Sequence, residues 1–439
     1  MDATNVLSRR AFLSLASATI TTGCAGMGGS VSVKSGSGPI AFWSNHPGRS
    51  SAVEKGLIAR FQNQFPGLNI KLIDAGKDYD EVAQKFNAAL IGTDVPDVVV
   101  LDDIWWFHFA LSGVIAPLDD LFGQVELDAT DYVDTLLADY RFNGGHYALP
   151  YARSTPLFYY NKAVWEKAGL PDRGPHTWQE FDEWGPQLQR VVGAGKWAHG
   201  WANAELISWT FQGPNWTFGG AYSDKWTLTF TDPATIAAGN FLRDSIYRRG
   251  YAAVANDIAN EFATGILAST VASTGALVGI TNAARFDFGV ASLPTGPGGA
   301  PGCPTGGAGL AIPAKLSEER KLNALKFIAF VTSPASTAYF SQRTGYLAVR
   351  KSVLRDPSQQ KYLADNPRAR VAMDQLPHTR PQDYARVFLP GGDRIISAGL
   401  ESIGLKGSDV STTFTDINQQ LQVVLDRQIK RKLPGFRHG

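Results

Sequence analysis

The strongest constraint on the fold is a repeated alternation of short apolar segments with amphipathic helical ones. The run DVVVL at 97–101 is continuously apolar and β-branched, which is typical of a strand buried in a parallel sheet. It follows two strand-and-helix pairs, whose strands are predicted near 39–43 and 68–73. A second series begins after Pro150 with a strand at 157–160. The alternation predicts α/β architecture, and 439 residues suit two lobes better than one core.

Charge and aromatic content narrow the classes of function. The chain has 41 Lys and Arg against 40 Asp and Glu, a net charge of +1, which argues against a broad basic surface for nucleic acid. A bound anion must therefore be held by a few local cations. The 11 Trp, 14 Tyr and 24 Phe residues outnumber the 7 His and 2 Cys residues. This composition favours stacking against flat or cationic small molecules over metal or thiol chemistry.

The N-terminus has the pattern of an export signal. Arg9 and Arg10 form a twin-arginine start, and the apolar stretch at 11–20 is too short to span a membrane. The following TTGC resembles a lipobox, although Thr21 departs from the usual Leu or Val. We predict a signal peptide at 1–24, a lipid on Cys24, a flexible Gly/Ser tether at 25–39 and anchorage outside the cytoplasmic membrane, in the periplasm or cell envelope. An ordinary secretory signal is the alternative.

Motifs for catalysis, metals and cofactors are missing from the sequence. It contains no phosphate-binding P-loop, no paired histidines of a zinc helix and no G-x-S-x-G elbow. Cys303 has no disulfide partner in the mature chain, and we expect it to have no function. The adjacent Asp102 and Asp103 are expected to point in opposite directions at a strand end, so they would not flank one glycosidic bond. We predict no catalytic residue, no metal and no cofactor.

A set of segments in fixed order covers nearly the whole mature chain. These segments are KFNAAL (85–90), PDVV (96–99), LDDL (118–121), YALPY (147–151), LFYYNK (157–162), GGAGLAI (306–312) and GYLAVR (345–350). In that order they resemble the extracellular solute-binding lipoproteins of ABC importers, in the carbohydrate and glycerophosphate branch.

The resemblance implies a periplasmic-binding-protein fold, in which two α/β lobes joined by crossing hinge segments enclose a ligand cleft. The first lobe would take 40–153 and 310–368, and the second 154–309 and 369–439. Ligands of open α/β sheets lie beyond the carboxyl ends of the strands, which is where Asp103 falls.

The glycerophosphodiester binders of this branch further imply particular contacts. Hydroxyl and phosphate oxygens would be held by polar side chains and a glycine backbone, with one arginine supplying the charge. A tryptophan would face a choline cation, and a leucine would line the same wall. The implied ligand-binding residues are Tyr79, Asp103, Ser154, Leu206, Trp209, Ser273, Gly307, Tyr346 and Arg386.

Some of these residues have structural alternatives in the sequence. Asp103 is also placed to cap the helix that begins near Trp105. The alternatives to Trp209 as the exposed aromatic residue are Trp201, Phe211 and Trp216. The alternatives to Arg386 as the cation are Arg153, Arg350 and Arg394.

The predicted function is a membrane-tethered monomer that closes its lobes around a glycerophosphodiester such as glycerophosphocholine. It would deliver this ligand to the permease of an ABC importer. A binder of di- or oligosaccharides is the alternative within the same class, because tryptophan and carboxylates also suit sugars. A secreted glycosidase or esterase would need facing carboxylates or a Ser–His pair.

Overall fold

A computed structural model describes residues 34, 36, 38–92, 94–297 and 301–433. The predicted signal peptide, Cys24 and most of the tether lie outside these residues. No helix within the described ranges is long and apolar enough to cross a membrane. The folded part contains two five-stranded sheets, each with its own helices. We call these two bodies the first and second lobes. They confirm the predicted two-lobe α/β fold.

The first sheet forms around the predicted buried strand, which runs over Val98–Asp102. Val98, Val99 and Val100 are fully buried, because helices cover both faces of the sheet. The three N-terminal strands are parallel, and the last two strands of the sheet are joined antiparallel. In spatial order the strands are Ile70–Asp74, Ile40–Ser44, Val98–Asp102, Gly306–Ala311 and Ala148–Ser154.

The second sheet follows the first sheet after a single residue of the chain. Its strand Pro156–Asn161 is separated from the first sheet by Thr155 alone. That strand lies between two antiparallel partners. In spatial order the strands are Ala252–Val254, His199–Trp201, Ser269–Ser273, Pro156–Asn161 and Phe288–Ala291.

Helices flank both sheets, and several begin at a residue whose side chain caps the helix. Thr177 accepts a hydrogen bond from the Glu180 amide, and Ser317 accepts one from the Arg320 amide. The first-lobe helices are Ser51–Gln64, Tyr79–Ala89, Trp105–Leu111, Asp134–Ala138, Glu318–Val331, Pro334–Thr344 and Pro357–Asp365. The second-lobe helices are Lys162–Lys167, Trp178–Val192, Ile207–Thr210, Gln212–Thr217, Pro233–Tyr247, Ile258–Ala263, Leu277–Ala283, Pro367–Gln375, Tyr384–Val387, Gly392–Lys406 and Val410–Val424.

The chain crosses between the lobes through a small, buried hinge. Cys303–Pro304 pairs in parallel with Thr379–Arg380 beside the first crossing at Thr155. The Gln375 amide nitrogen donates to the Thr155 hydroxyl at 3.1 Å and so ties two crossing segments together. Burial raises the pKa of the Cys303 thiol to about 12, so this cysteine stays protonated and packs in the hinge.

One crossing differs from the sequence-based lobe boundary near 309. The strand Gly306–Ala311 pairs with first-sheet strands on both sides, so the chain has returned to the first lobe before residue 310. Glycine has a low preference for strands, so the GGAG sequence does not predict one. Pairing with the two neighbouring strands stabilises this segment as a strand.

Candidate ligand-binding site

A cleft of about 910 Å³ opens between the lobes at the carboxyl ends of first-sheet strands. It has the position expected for a ligand of an open α/β sheet. The structure brings all the ligand-binding residues predicted from the sequence together along this cleft: Tyr79, Asp103, Ser154, Leu206, Trp209, Ser273, Gly307, Tyr346 and Arg386. The contacts of these residues with a ligand remain predictions.

The floor of the cleft is a buried ion-pair network. The Arg153 guanidinium donates to Asp103 at 2.5 Å, to the Tyr140 hydroxyl at 2.6 Å and to the Asp139 carboxylate. Arg153 is fully buried, and burial raises the pKa of Asp139 while the arginine opposes that rise. The charge of Arg153 is therefore already balanced, and this arginine orients Asp103 from below.

Asp102, and not Asp103, caps the following helix. One Asp102 oxygen accepts hydrogen bonds from the amides of Ile104 and Trp105, at 3.2 and 3.1 Å. Burial, with the neighbouring Asp103 charge, raises the pKa of Asp102 to about 7. Both residues line the cleft, but their carboxylates have different partners, the helix amides for Asp102 and Arg153 for Asp103. The alternation of a strand stops at Asp102, the last strand residue.

Arg386 lies in the cleft with neutral hydrogen-bond partners. Its guanidinium donates to the Ser208 hydroxyl at 3.0 Å and to the Gln382 amide oxygen. The Gln382 amide nitrogen in turn donates to Asp103 at 2.7 Å across the lobes. No described acidic residue forms an ion pair with Arg386, which is 7% exposed. A nearly buried guanidinium with neutral partners is suited to an anionic group.

The other two arginine alternatives have structural partners. Arg394 pairs with Asp80 at 2.7 Å. Arg350 lies 3.7 Å over the Tyr132 ring and donates to the Thr332 carbonyl at 2.7 Å. Neither is a better candidate than Arg386.

Trp209 forms an aromatic wall of the cleft. Its indole nitrogen donates to the Thr305 carbonyl at 2.9 Å, which fixes the ring. A Cβ on Gly306 would lie 2.5 Å from the ring, so glycine is required there. The alternatives to Trp209 are engaged elsewhere: Trp201 donates to Ser245, Trp216 donates to Asp383, and Phe211 is fully buried.

Two tyrosines form the opposite wall. Burial raises the pKa of both Tyr79 and Tyr346, so both are neutral phenols that can donate hydrogen bonds. The Tyr79 hydroxyl and the Asn45 amide oxygen are buried without a hydrogen-bond partner among the described groups. Buried polar atoms are normally paired, so these two atoms are suited to polar groups of a ligand.

Sequence reasoning missed part of the lining. Asn45, His46, Arg49 and Gln382 also face the cleft. Gln382 lies four residues before Arg386, a spacing that would have indicated it once Arg386 was chosen. The other three lie on a turn whose role depends on contacts distant in sequence. No cluster suited to a metal ion occurs among the described His, Cys, Asp and Glu residues.

Comparison with known proteins agrees with this architecture. The crystal structure of UgpB from Mycobacterium tuberculosis in complex with glycerophosphocholine is 81% identical, with a TM-score of 0.88 over 90% of this chain and 100% of that chain. Maltose-bound T. maritima MalE3 is 25% identical, with a TM-score of 0.76 over 88% of this chain and 100% of that one. The sn-glycerol-3-phosphate-binding periplasmic protein UgpB of Salmonella typhimurium is 27% identical over 83% of this chain and 87% of its own length.

Residues 56–367 match the family model for bacterial extracellular solute-binding proteins. This match covers well over half of the chain, and it includes strands and helices of both lobes. The chain therefore belongs to the bacterial extracellular solute-binding protein family.

Proposed function

We propose that the protein is the substrate-binding component of an ABC importer and captures glycerophosphodiesters such as glycerophosphocholine. The observation that carries this proposal is that one cleft contains both a guanidinium with no carboxylate partner and an aromatic wall. Arg386 suits the phosphate and Trp209 suits a quaternary ammonium group. The similar mycobacterial structure in complex with glycerophosphocholine supports this choice of ligand.

Capture follows from the distribution of these groups over two lobes. Asp103 and Tyr346 belong to the first lobe, and Trp209 and Ser273 to the second. A ligand that contacts both sets is bound more tightly by the closed form and so shifts the protein towards closure.

Export and anchoring complete the proposal. Membership of an extracellular family fits the predicted signal at 1–24. A lipid on Cys24 would hold the protein, as a monomer, at the outer face of the membrane beside the permease that receives its ligand. Mass spectrometry of the protein from membranes tests this part, because an unmodified Cys24 would contradict it.

Titration calorimetry of the purified protein tests the ligand. We expect saturable binding of glycerophosphocholine and much weaker binding of glycerol 3-phosphate and maltose. Arg386→Ala should lose roughly tenfold or more in affinity, because a charge-assisted hydrogen bond is removed. Arg343→Gln removes an exposed arginine outside the cleft and is the matched control.

The outcomes separate the alternatives. Saturable binding of maltose alone would identify a sugar binder and refute the glycerophosphodiester proposal. Release of choline during incubation with glycerophosphocholine would identify a hydrolase instead.

A further inference from the structure

The turn at 45–49, which we call the cleft turn, has an unusual backbone. His46, Gly48 and Arg49 have φ values of 54°, 62° and 60°, in the left-handed region. Two of these residues are not glycine, and such strained conformations persist where surrounding contacts enforce them. The turn joins the strand Ile40–Ser44 to the helix Ser51–Gln64 and lines the cleft.

A buried carboxylate fixes His46. The imidazole Nδ1 forms an ion pair with Glu54, whose side chain is fully buried. Glu54 also accepts hydrogen bonds from the Ser44 hydroxyl at 2.7 Å and the Tyr151 hydroxyl at 3.2 Å. The hydrogen bond to Glu54 raises the pKa of His46.

The second ring nitrogen of His46 is free. No described group forms a hydrogen bond with Nε2, and the side chain is 16% exposed at the cleft. When Nδ1 holds its proton against Glu54, the protonated ring presents Nε2–H to the cleft as a charged donor.

The cleft turn also lies beside residues predicted to contact phosphate. A Cβ on Gly48 would approach the Tyr346 ring to 2.8 Å, so this turn packs directly on that ring. Pro47–Arg49 contacts Thr274–Ala276 of the second lobe, immediately after Ser273. His46 is therefore placed near the predicted anionic end of the ligand.

We propose that His46 is a further ligand-binding residue, an imidazolium held by Glu54 that donates a hydrogen bond to the anionic group in the cleft. The proposal rests on the proposed function, because it takes the phosphodiester as the ligand. The contact is present below the pKa of His46 and is lost as pH rises through it, so affinity falls with increasing pH.

Neighbouring charges define how this dependence must be measured. Glu54 and Asp74 favour the imidazolium and Lys55 opposes it, while Thr274–Ala276 carries no titratable side chain. Asp102 also lines the cleft and ionises near neutral pH, which disfavours an anion in the same pH range. The two effects are separated in an Asp102→Asn background.

The test is calorimetric affinity for glycerophosphocholine between about pH 5.5 and 8.5, where a phosphodiester does not titrate but histidine does. In the Asp102→Asn background we expect His46→Gln to weaken binding about tenfold at the acid end and to make the pH dependence less steep than that of its parent. Glu54→Gln should move the midpoint of that dependence to lower pH. Lys77→Gln, which removes an exposed cation from the cleft rim, is the control and should leave the dependence unchanged.

Each outcome decides the proposal. Equal affinity of His46→Gln and its parent at both ends of the pH range would overturn it, while leaving the proposed function intact. Absence of glycerophosphocholine binding by the wild-type protein would refute the proposed function and this contact with it. Should His46→Gln fail to fold, NMR of the wild-type imidazole decides: bound glycerophosphocholine should raise the pKa of His46, and an unchanged pKa overturns the contact.

Discussion

Replacing Arg153 by methionine is the sharpest test of the network below the cleft. Methionine fills similar space but cannot balance the charges of Asp103 and Asp139, whose side chains are 9% and 8% exposed. Removing one partner of a buried ion pair costs about 3–5 kcal/mol, because the remaining charge is buried without compensation. We expect a loss of this size in the free energy of unfolding near pH 7.5.

The sign of the pH dependence follows from the carboxylates. Burial already raises the pKa of Asp139 with Arg153 present, and without the arginine this pKa rises further. A native carboxyl with a raised pKa binds more protons than its unfolded form, so the native state gains stability as pH falls. The loss caused by Arg153→Met should therefore shrink between about pH 7.5 and 5.

Urea denaturation of the ligand-free protein, followed by tryptophan fluorescence, measures both effects. Arg394→Met is the matched control, because its ion pair with Asp80 is largely exposed and should contribute no more than about 1 kcal/mol. A loss below about 1 kcal/mol for Arg153→Met, or an equal loss at both pH values, would refute the reasoning.

Two further predictions concern closure of the lobes, and both use calorimetry with glycerophosphocholine. Gly275→Ala places a Cβ 2.8 Å from the Tyr346 ring and should weaken binding about 5- to 100-fold. The control Gly279→Ala, which has open space around it, should leave the affinity unchanged. Equal affinities of the two variants would contradict this prediction. Asp80→Asn removes the ion pair between the lobes with Arg394 and should weaken binding up to about fivefold at low salt, an effect that salt should abolish. An unchanged affinity at low salt would show that this pair does not favour the closed form.

Local signals in the sequence predicted much of the fold. The β-branched run at 97–101 and the caps at Thr177 and Ser317 are short-range features, and the structure places a strand and two helix starts there. The strand Gly306–Ala311 does not follow from local preference, because pairing on both sides outweighs the poor strand preference of its glycines. Nothing local in the sequence could reveal that pairing.

The sequence predicted residues that line one cleft, but not the partners that hold their side chains. Family resemblance selected residues that the structure gathers in one cleft. It did not show that Asp102 caps the helix or that Glu54 holds His46, since both depend on backbone geometry and packing around the cleft.

The electrostatics of the cleft follow from pairing and not from composition. The whole chain has a net charge of +1, which gives no attraction for an anion over the surface as a whole. Arg153 and Arg394 are each matched by carboxylates, so they add little net positive charge to the cleft. Arg386 has only neutral partners, and His46 gains its proton because Glu54 is buried beside it. An anion in this cleft is therefore selected by Arg386, which has no ion-pair partner, and by the His46 ring that Glu54 holds in place. Adding arginines elsewhere on the surface would not reproduce that selectivity.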